Sequence, residues 1–364
     1  MKKYRVAVIG RTGKGNYGHG LDTVWMNHPR AEIVGVADED EKGRLAAGKR
    51  LKTDQIFADF KEMLAKTKPE IVSVADRFLD MHRDMVLACA EHGASIFLEK
   101  PISRTLQEAD EMVAACEKHH VKCAIAHQTR YSPRVAIVKK MIQDGLLGDL
   151  LELRGRGKED PRGGGQDMMV LGTHTFDLMR FLAGDAQWCM ARIFQGGKLA
   201  VSGDVRMGGE GMGPIQGDRI AATYGMANAH SATFGTYVTK DFPGKRYSLH
   251  VYGSKGVVQL NFGAHGGTWF LPDPSWMPGQ SKTAWQEITS AGIGKPETLK
   301  ETGVETGNHY IVDDLIESIE KDRQPLGNIY DGRAALEMIM AVYESHKLQK
   351  PVELPMKNRR HPLG

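Results

Sequence analysis

Two short segments carry side chains that could act on a hydroxyl group. Lys100 follows an apolar run in "FLEKPIS", where a lysine can donate a hydrogen bond to a reacting oxygen and stabilise a developing alkoxide. His174 and Asp177, in "GTHTFD", are three residues apart and face one side of a helix, so the carboxylate could orient the imidazole or share its proton. A histidine titrates near neutral pH, which suits a base that takes a hydroxyl proton. The alternatives are a surface lysine paired with Glu99 and a capping or core role for the histidine.

The stretch "VAVIGRTGKGNYGHG", residues 6–20, predicts a phosphate-binding loop. A triphosphate loop is disfavoured because Gly15 follows Lys14 where a magnesium-binding hydroxyl is required. A dinucleotide loop needs a strand, a glycine turn and a helix whose amides face the pyrophosphate, followed by an acid that ends the second strand. Gly10 follows the first strand, and Asp38 is that acid. Since a carboxylate there accepts ribose hydroxyls and repels a 2′-phosphate, NAD(H) is favoured over NADP(H). The alternative is a simple turn.

Short apolar runs alternate with helix-like stretches over residues 4–126. Five runs are apolar and β-branched enough for buried parallel strands: YRVAVIG, AEIVGVAD, EIVSVAD, ASIFLEK and VKCAIAH. In the stretches between them, apolar residues recur at intervals of three and four residues, as in helices. Asp80 is a candidate N-cap of the third helix. This alternation predicts an α/β Rossmann domain, a doubly wound parallel sheet whose ligand crevice lies at the carboxyl ends of the strands.

The pattern changes after residue 127. Six strand-like runs, from GDLLELRGRG to GVVQLNF, are not separated by regular crossover helices, which predicts a large open, mostly antiparallel sheet in an α+β domain. The predicted organisation is therefore an NAD-binding Rossmann domain over residues 1–126 and a substrate-binding and oligomerisation domain over residues 127–364.

Composition narrows the class of protein. The chain has 364 residues, is 41% hydrophobic and 26% charged, and carries a net charge of +3, so no strong field favours nucleic acid or an anionic membrane. The four cysteines form no CxxC pair and are expected to be buried thiols in a reducing, cytoplasmic environment. The first apolar run is too short for a signal peptide or a membrane helix, and no third ligand lies near His174 and Asp177, so no metal site is expected.

These features together resemble the glucose-fructose oxidoreductase, inositol dehydrogenase and rhizopine-catabolism oxidoreductase family over nearly the whole chain. The blocks that carry the resemblance are the strand with its glycine loop, Asp38, "LDMHRDMVLACAEHGASIFLEKPIS", "RYSP", the stretch from "GGG" to "GTHTFD", and "VYGSKG". The resemblance implies that Lys100 binds the substrate hydroxyl and the nicotinamide ribose. It makes His174 the acid/base, with Asp177 as its neighbour or a substitute proton acceptor.

The resemblance also extends the set of expected site residues. Gln128 and Arg130 occupy the segment that usually lines the pocket. Asp76 stands in a loop where the family commonly has Thr-Pro, and Asp167 is a candidate for an aspartate that the family often has at the position of Val170. The expected cofactor contacts are Gly10, Arg11, Thr12, Gly13, Gly15, Asn16, Tyr17, Asp38, Asp76, His82, Glu99, Lys100 and Gln128. The expected substrate contacts are Lys100, Arg130, Asp160, Asp167 and His174.

The expected activity is NAD(H)-dependent oxidation or reduction of a secondary hydroxyl or ketone in a sugar, cyclitol or sugar derivative. Two alternatives stay open: a glycosidase or lyase that works by transient oxidation and elimination, and a non-catalytic NAD-binding regulator. The expected partners are a small sugar or polyol and further copies of the chain, as a homodimer or homotetramer, with neither nucleic acid nor membrane.

Overall fold

The structure is a computed structural model that describes residues 2–239, 246–263, 266–300 and 304–364. Its residues form two compact units. The first comprises Met1–Ala126, Gly209–Met212 and Val304–Arg333, and the second comprises His127–Gly208, Gly213–Gly303 and Ala334–Gly364. The domain boundary at residue 126/127 stays a proposal, because two later segments also belong to the first unit.

The first unit is built on a six-stranded parallel sheet. Its strands are β1 Tyr4–Ile9, β2 Ala31–Ala37, β3 Ile56–Phe57, β4 Ile71–Val74, β5 Ser95–Leu98 and β6 Cys123–Ile125. The order β3-β2-β1-β4-β5-β6 is that of a Rossmann sheet and confirms the expected fold class. The two-residue strand β3 was not expected, because a run that short has no readable period. In a parallel sheet the loops after the strands gather at one edge, so the glycine loop, Asp38, Asp76 and Lys100 belong to the same edge.

Four helices connect these strands: α1 Glu41–Leu51, α2 Phe60–Thr67, α3 His82–Glu91 and α4 Leu106–Lys118. The crossover from β1 to β2 differs from the expectation. Within residues 10–30, all of which the structure describes, the only helical segment is a 3-10 turn, Thr23–Trp25. Trp25 is buried there, and its Nε1 donates a hydrogen bond of 2.6 Å to Ser73 Oγ on β4. The crossover therefore covers the sheet with packed loop side chains and offers no α-helix N-terminus to a pyrophosphate.

The second unit contains α5 Pro133–Gln143, α6 Gly165–Val170, α7 Gly172–Ala183 and α8 Pro278–Ser281. Its strands are β7 Leu150–Arg156, β8 Ala186–Gln195, β9 Lys198–Leu199, β10 Arg206–Met207, β11 Pro214–Ile215, β12 Arg219–Met226, β13 Ser231–Tyr237, β14 Ser248–Gly253, β15 Gly256–Asn261, β16 Thr268–Leu271, β17 Gln286–Thr289, β18 Gly292–Ile293 and β19 Val352–Glu353. Eleven of them form one sheet in the order β18-β17-β16-β15-β14-β7-β13-β12-β8-β19, with β9 beside β8. Strands β7 and β13 run parallel and the other neighbours run antiparallel, as the sequence predicts. Two longer helices close the chain, α9 Val304–Glu320 and α10 Ile329–Leu348.

Helix α7, which carries His174 and Asp177, is fixed to the second sheet by its apolar face. The ring of Phe176 lies with its centroid 4.7 Å from that of Phe234 on β13, and a Cβ added to Gly155 on β7 would lie 2.3 Å from the Thr175 methyl group. The missing side chain at Gly155 lets the helix approach the strand closely, which sets the height of α7 above the sheet.

No helix in the described part of the chain is both long enough and apolar enough to cross a lipid bilayer.

Candidate functional site

A pocket of about 230 Å³ opens at the carboxyl edge of the first sheet. Apolar side chains make one part of its wall and acidic side chains make another, a combination that suits a flat base and a hydroxylated sugar. The residues that line it are Ile9, Gly10, Arg11, Ala37, Asp38, Glu39, Ala58, Asp59, Phe60, Met81 and Met85. The apolar and acidic parts of this lining match the chemistry of the adenosine half of a dinucleotide.

The glycine loop beside this pocket is held by its own backbone. Arg11 and Asn16 exchange two N–H···O hydrogen bonds of 3.0 Å, and the N–H of Gly13 donates to the side-chain oxygen of Asn16 at 3.1 Å. Gly13 and Gly15 have φ of +85° and +88°, a region that favours glycine. The glycine-rich segment thus forms a tight, ordered loop, but in the described stretch before β2 no α-helix follows it, as one does in the usual dinucleotide-binding motif.

Asp38 is where the sequence places it but is already fully hydrogen-bonded. Its carboxylate accepts from the Thr12 N–H at 3.0 Å, the Thr12 hydroxyl at 2.7 Å, the Tyr17 hydroxyl at 2.9 Å and the Asp40 N–H at 3.0 Å. Burial and the neighbouring Asp38 carboxylate raise the pKa of Tyr17, so its hydroxyl remains a donor. Two carboxylate oxygens offer about four acceptor sites, which these four donors fill. Asp38 and Tyr17 therefore bind each other, and the expected contacts of these two residues with the cofactor stay a prediction.

Arg11 is held between two loops of the sheet edge. Its Nη1 lies 2.9 Å from Asp76 Oδ2 and 2.8 Å from Asp80 Oδ1. Burial opposes the guanidinium charge, but the hydrogen bonds to Asp80 and Asp76 outweigh it and raise the pKa of Arg11. Asp80 therefore serves as a partner of Arg11. It lies inside the 3-10 turn Leu79–Met81, and the N-cap position of α3 is Met81, so the expected capping role is wrong.

Glu99 and Lys100 are both buried at the end of β5. Glu99 Oε2 accepts from the Lys100 backbone N–H at 2.7 Å, and Oε1 is hydrogen-bonded to His19 Nδ1. Burial alone would raise the pKa of Glu99, but the Lys100 ammonium and the hydrogen bond with His19 outweigh it and lower the pKa to about 2. Lys100 is 5% exposed, which excludes the surface-lysine alternative. A buried, ionised Glu99 keeps a positive charge at Lys100 favourable.

His82 was expected at the cofactor, but its ring is fully buried under the loops of the sheet edge. Its Nε2 lies 2.7 Å from the carbonyl oxygen of Asp76, and its Nδ1 lies 3.1 Å from the carbonyl oxygens of Pro101 and Ile102. The ring thus links the loop after β4 to the loop after β5. The ring is therefore placed to hold the Lys100 segment in position, and its expected cofactor contact stays a prediction.

Glu99→Gln is expected to lower the free energy of unfolding at pH 7 by about 3 kcal/mol, because it removes a buried charge that Lys100 and His19 stabilise. The folded pKa of about 2 lies below the unfolded value of about 4.3, so this stabilisation is complete above pH 4.3 and is lost as pH falls toward 2. Urea unfolding at pH 7 and pH 3 measures it, with the exposed Glu91→Gln as control. An equal difference at the two pH values would contradict the assignment.

The second unit brings Asp177 to a partner 47 residues away. Arg130 binds its carboxylate through Nε at 2.9 Å and Nη2 at 2.7 Å, and His127 Nδ1 lies 3.3 Å from Oδ1. Burial would raise the pKa of Asp177, but Arg130 and His127 outweigh it and hold the pKa far below its ordinary value. The lowered pKa favours the ionised form of Asp177, and its expected role beside His174, as neighbour or substitute proton acceptor, stays a prediction. Arg130 is 5% exposed, its guanidinium lies 4.7 Å from the Phe181 ring centroid, and its expected substrate contact stays a prediction.

His127 is a site residue that the sequence reasoning missed. Its ring is 1% exposed, its Nε2 lies 3.0 Å from Thr173 Oγ1, and its ring centroid lies 5.3 Å from that of His174 at an interplanar angle of 65°. It therefore lies in contact with both Asp177 and the half-buried His174. Its position directly after the apolar run VKCAIA could have revealed it, since residues that follow such strands gather at the functional edge of a parallel sheet.

The two loop acids expected at the substrate are used inside the second unit. Asp167 is fully buried and accepts from the Glu159 N–H at 3.1 Å and the Thr236 hydroxyl at 2.5 Å, and burial raises its pKa. Asp160 accepts from the Arg162 side chain at 2.6 Å, and that hydrogen bond lowers its pKa. These carboxylates fasten the loop before α6, and their expected substrate contacts stay a prediction.

Gln128 is 6% exposed in the 3-10 helix Gln128–Tyr131, and its expected cofactor contact stays a proposal. Among the residues that the structure describes, no group of three or more His, Cys, Asp and Glu side chains is arranged to hold a metal ion.

Similarity to known proteins covers both units. The family model described as "Oxidoreductase family, NAD-binding Rossmann fold" matches residues 4–127, and its companion, "Oxidoreductase family, C-terminal alpha/beta domain", matches residues 139–354. A levoglucosan dehydrogenase from Pseudarthrobacter phenanthrenivorans is 25% identical over 253 residues, which is 62% of this chain and 64% of that protein. A 2,7-anhydro-N-acetylneuraminate hydratase from Mediterraneibacter gnavus is 33% identical over 151 residues, 42% of this chain and 38% of that protein.

A solved levoglucosan dehydrogenase in complex with NADH and levoglucosan has the same fold, with a TM-score of 0.77 and 18% identity over 98% of this chain and all of that one. The sequence matches to the two curated relatives span less than two thirds of their length. The two family models, by contrast, follow each other along almost the entire chain. The chain belongs to the glucose-fructose oxidoreductase, inositol dehydrogenase and rhizopine-catabolism family of NAD-binding oxidoreductases.

Proposed function

We propose that this protein is an NAD(H)-dependent dehydrogenase that oxidises or reduces a secondary hydroxyl or ketone of a sugar, cyclitol or sugar derivative. The observation that carries the proposal is the buried Glu99–Lys100 pair at the carboxyl edge of a Rossmann sheet in a member of this family. A lysine enclosed in this way serves best where negative charge develops on an oxygen during the reaction.

The cofactor is proposed to bind along this edge. Its adenosine half would use the 230 Å³ pocket, and the loop that contains Gly10, Gly13 and Gly15 would face the pyrophosphate. NAD, when bound, supplies the hydride acceptor for oxidation, and its reduced form the donor for the reverse reaction. The acidic lining of the pocket supports NAD over NADP, because a 2′-phosphate would meet like charges there.

Two side chains are proposed to act on the substrate hydroxyl. The Lys100 ammonium would donate a hydrogen bond to the reacting oxygen, and the His174 imidazole would take the hydroxyl proton during oxidation and return it during reduction. Asp177 stays ionised beside Arg130 and His127, so its charge orients the His127 ring that lies against His174. Asp177 thus acts through its neighbours and not by taking a proton.

The proposal is tested by incubating the protein with NAD and a panel of sugars, cyclitols and polyols while absorbance at 340 nm is recorded. We expect NADH to form with at least one of them, and His174→Gln to abolish most of that signal without loss of NAD binding. Tight NAD binding with no turnover of the whole panel would favour the non-catalytic regulator.

A redox-neutral lyase or glycosidase is the second candidate. The observation that favours it is the similarity to a protein named as a hydratase, with 33% identity over 151 residues. In such a reaction transient oxidation acidifies a neighbouring C–H, a bond to the sugar is eliminated, and rehydration and reduction restore the cofactor. Bond cleavage without net NADH would identify this class.

We also propose that further copies of the chain associate through the uncovered face of the second sheet. Several side chains on this face alternate with buried ones, among them Trp188 on β8 at 40% exposure and Leu151 on β7 at 43%. Exposed apolar side chains on a broad sheet face suit a self-association surface. Light scattering that reports a monomer at micromolar concentration would contradict a homodimer or homotetramer.

A further inference from the structure

We infer that Glu39, and not Asp38, accepts the ribose hydroxyls of the cofactor, and that Asp38 instead fastens the glycine loop to β2. This inference rests on the proposed use of a nicotinamide dinucleotide. It departs from the usual rule that the acid at the end of the second strand binds the ribose.

The first step is that Asp38 has no acceptor site left for a ribose hydroxyl. Its carboxylate takes the four donor groups of Thr12, Tyr17 and Asp40 described above, and the residue is 1% exposed. A ribose hydroxyl would have to displace the Tyr17 hydroxyl or the Thr12 side chain. Either change would leave a donor without its acceptor under the loop, which is unfavourable for a buried hydroxyl.

The second step is that Tyr17 cannot move aside without opening a packed region. Its ring is 8% exposed and fits against Gly10, where an added Cβ would lie 2.3 Å from Tyr17 Cε1. The Arg50 guanidinium lies 4.6 Å from the centroid of the same ring and is itself held by Asp22 at 2.6 Å. The Tyr17–Asp38 contact is thus part of the core of the first unit and takes the place of the helix that the crossover lacks.

The third step is that Glu39 lines the same pocket with an accessible carboxylate. Its side chain is 58% exposed, and its partners are the Lys14 ammonium at 3.1 Å and Arg11 Nε at 3.6 Å. Lys14 is 45% exposed, and an ion pair between exposed side chains contributes little. A diol can therefore replace water or Lys14 at Glu39 with little loss, which is not so at Asp38.

The same placement makes Glu39 the residue that excludes a 2′-phosphate. Three cations lie nearby: Lys14 and Arg11 pair with Glu39, and Arg44 Nη1 donates to the Asp38 carbonyl oxygen at 2.8 Å. With Glu39 neutralised, an incoming phosphate would meet these cations with one carboxylate fewer in the pocket wall, where Asp59 remains. Glu39→Gln should therefore weaken NAD binding and strengthen NADP binding together.

Isothermal titration calorimetry with NAD and with NADP tests the inference on the purified protein. We expect Glu39→Gln to raise the Kd for NAD about tenfold, as the loss of a charge-assisted hydrogen bond does, and to lower the Kd for NADP. The matched control is Lys14→Gln, which removes the Lys14–Glu39 pair but keeps the carboxylate, and should leave the Kd for NAD within about twofold.

The variant Tyr17→Phe shows whether Asp38 or Glu39 binds the ribose, because it keeps both carboxylates. If Asp38 binds the ribose, this variant frees an acceptor site and tightens NAD binding; if Glu39 does, the Kd stays unchanged while the melting temperature falls. Wild-type affinity in Glu39→Gln together with tighter binding in Tyr17→Phe would overturn the inference and leave the proposed function standing. Failure of the wild-type protein to bind either dinucleotide would overturn both.

Discussion

Replacing Lys100 by methionine is expected to lower kcat by about 10²–10³, the usual loss when one preorganised donor to a developing oxyanion is removed. The reason is local: Lys100 is 5% exposed, directly follows the ionised Glu99 and is the only lysine of the FLEKPIS segment. Turnover is measured with saturating NAD and the best substrate of the sugar panel. Lys100 is also an expected contact of the nicotinamide ribose, so the Kd for NAD is measured separately and the loss of kcat is read at saturating NAD.

Lys118→Met on α4 is the matched control, since it removes an exposed lysine from the same unit. Its kcat should equal that of the wild-type protein. Methionine at position 100 should also raise the pKa of Glu99, because the Lys100 ammonium is the largest of the effects that lower it. Full turnover in Lys100→Met with normal NAD binding would remove Lys100 from the catalytic groups.

Arg130→Met is expected to lower the free energy of unfolding by about 3–5 kcal/mol, the cost of leaving a buried charge without its partner. The two hydrogen bonds from Arg130 to Asp177 lie at 2.9 and 2.7 Å, and both residues are at most 5% exposed. Because these contacts hold the pKa of Asp177 below its unfolded value of about 3.9, the stabilisation is complete above that pH and is lost as pH falls. The difference between variant and wild type should therefore shrink below pH 4.

Urea unfolding at pH 7 and pH 3 measures this difference, and two further variants serve as comparisons. Lys140→Met breaks the Lys140–Asp144 pair, whose side chains are 73% and 54% exposed, and should cost less than about 1 kcal/mol. The double variant Arg130→Met, Asp177→Leu removes both charges and should recover most of the stability. A double variant as unstable as Arg130→Met alone would show that shape, and not the unpaired charge, accounts for the loss.

The spacing of apolar residues along the sequence was sufficient to predict the regular strands of both units. All five expected strands of the first sheet and all six of the second are present, because alternation and apolar runs report burial directly. Strand β3, of two residues, and the crossover after β1, which packs Trp25 through a 3-10 turn, carry no such period. Both depend on contacts with residues far along the chain, which a local pattern does not contain.

The sequence was enough to predict where the candidate site lies, but not which side chains in it bind each other. Residues that directly follow parallel strands gather at one edge of the sheet, which is enough to place Gly10, Asp38 and Lys100 there. The four donors that saturate Asp38 come from loop geometry that the sequence does not contain. In the same way, the spacing of His174 and Asp177 places them on one helix, whereas the partner of Asp177 is Arg130 on another element. Burial and charge make such pairs specific, and both are properties of the folded chain.

The stoichiometry of the reaction tests most directly whether the protein carries out net redox chemistry between NAD(H) and a sugar or polyol. Protein freed of bound cofactor is supplied with NAD and the best substrate, and NADH and the carbonyl product are quantified in the same sample. We expect one NADH for each ketone formed. Release of a cleaved or hydrated sugar with no accumulation of NADH would contradict it.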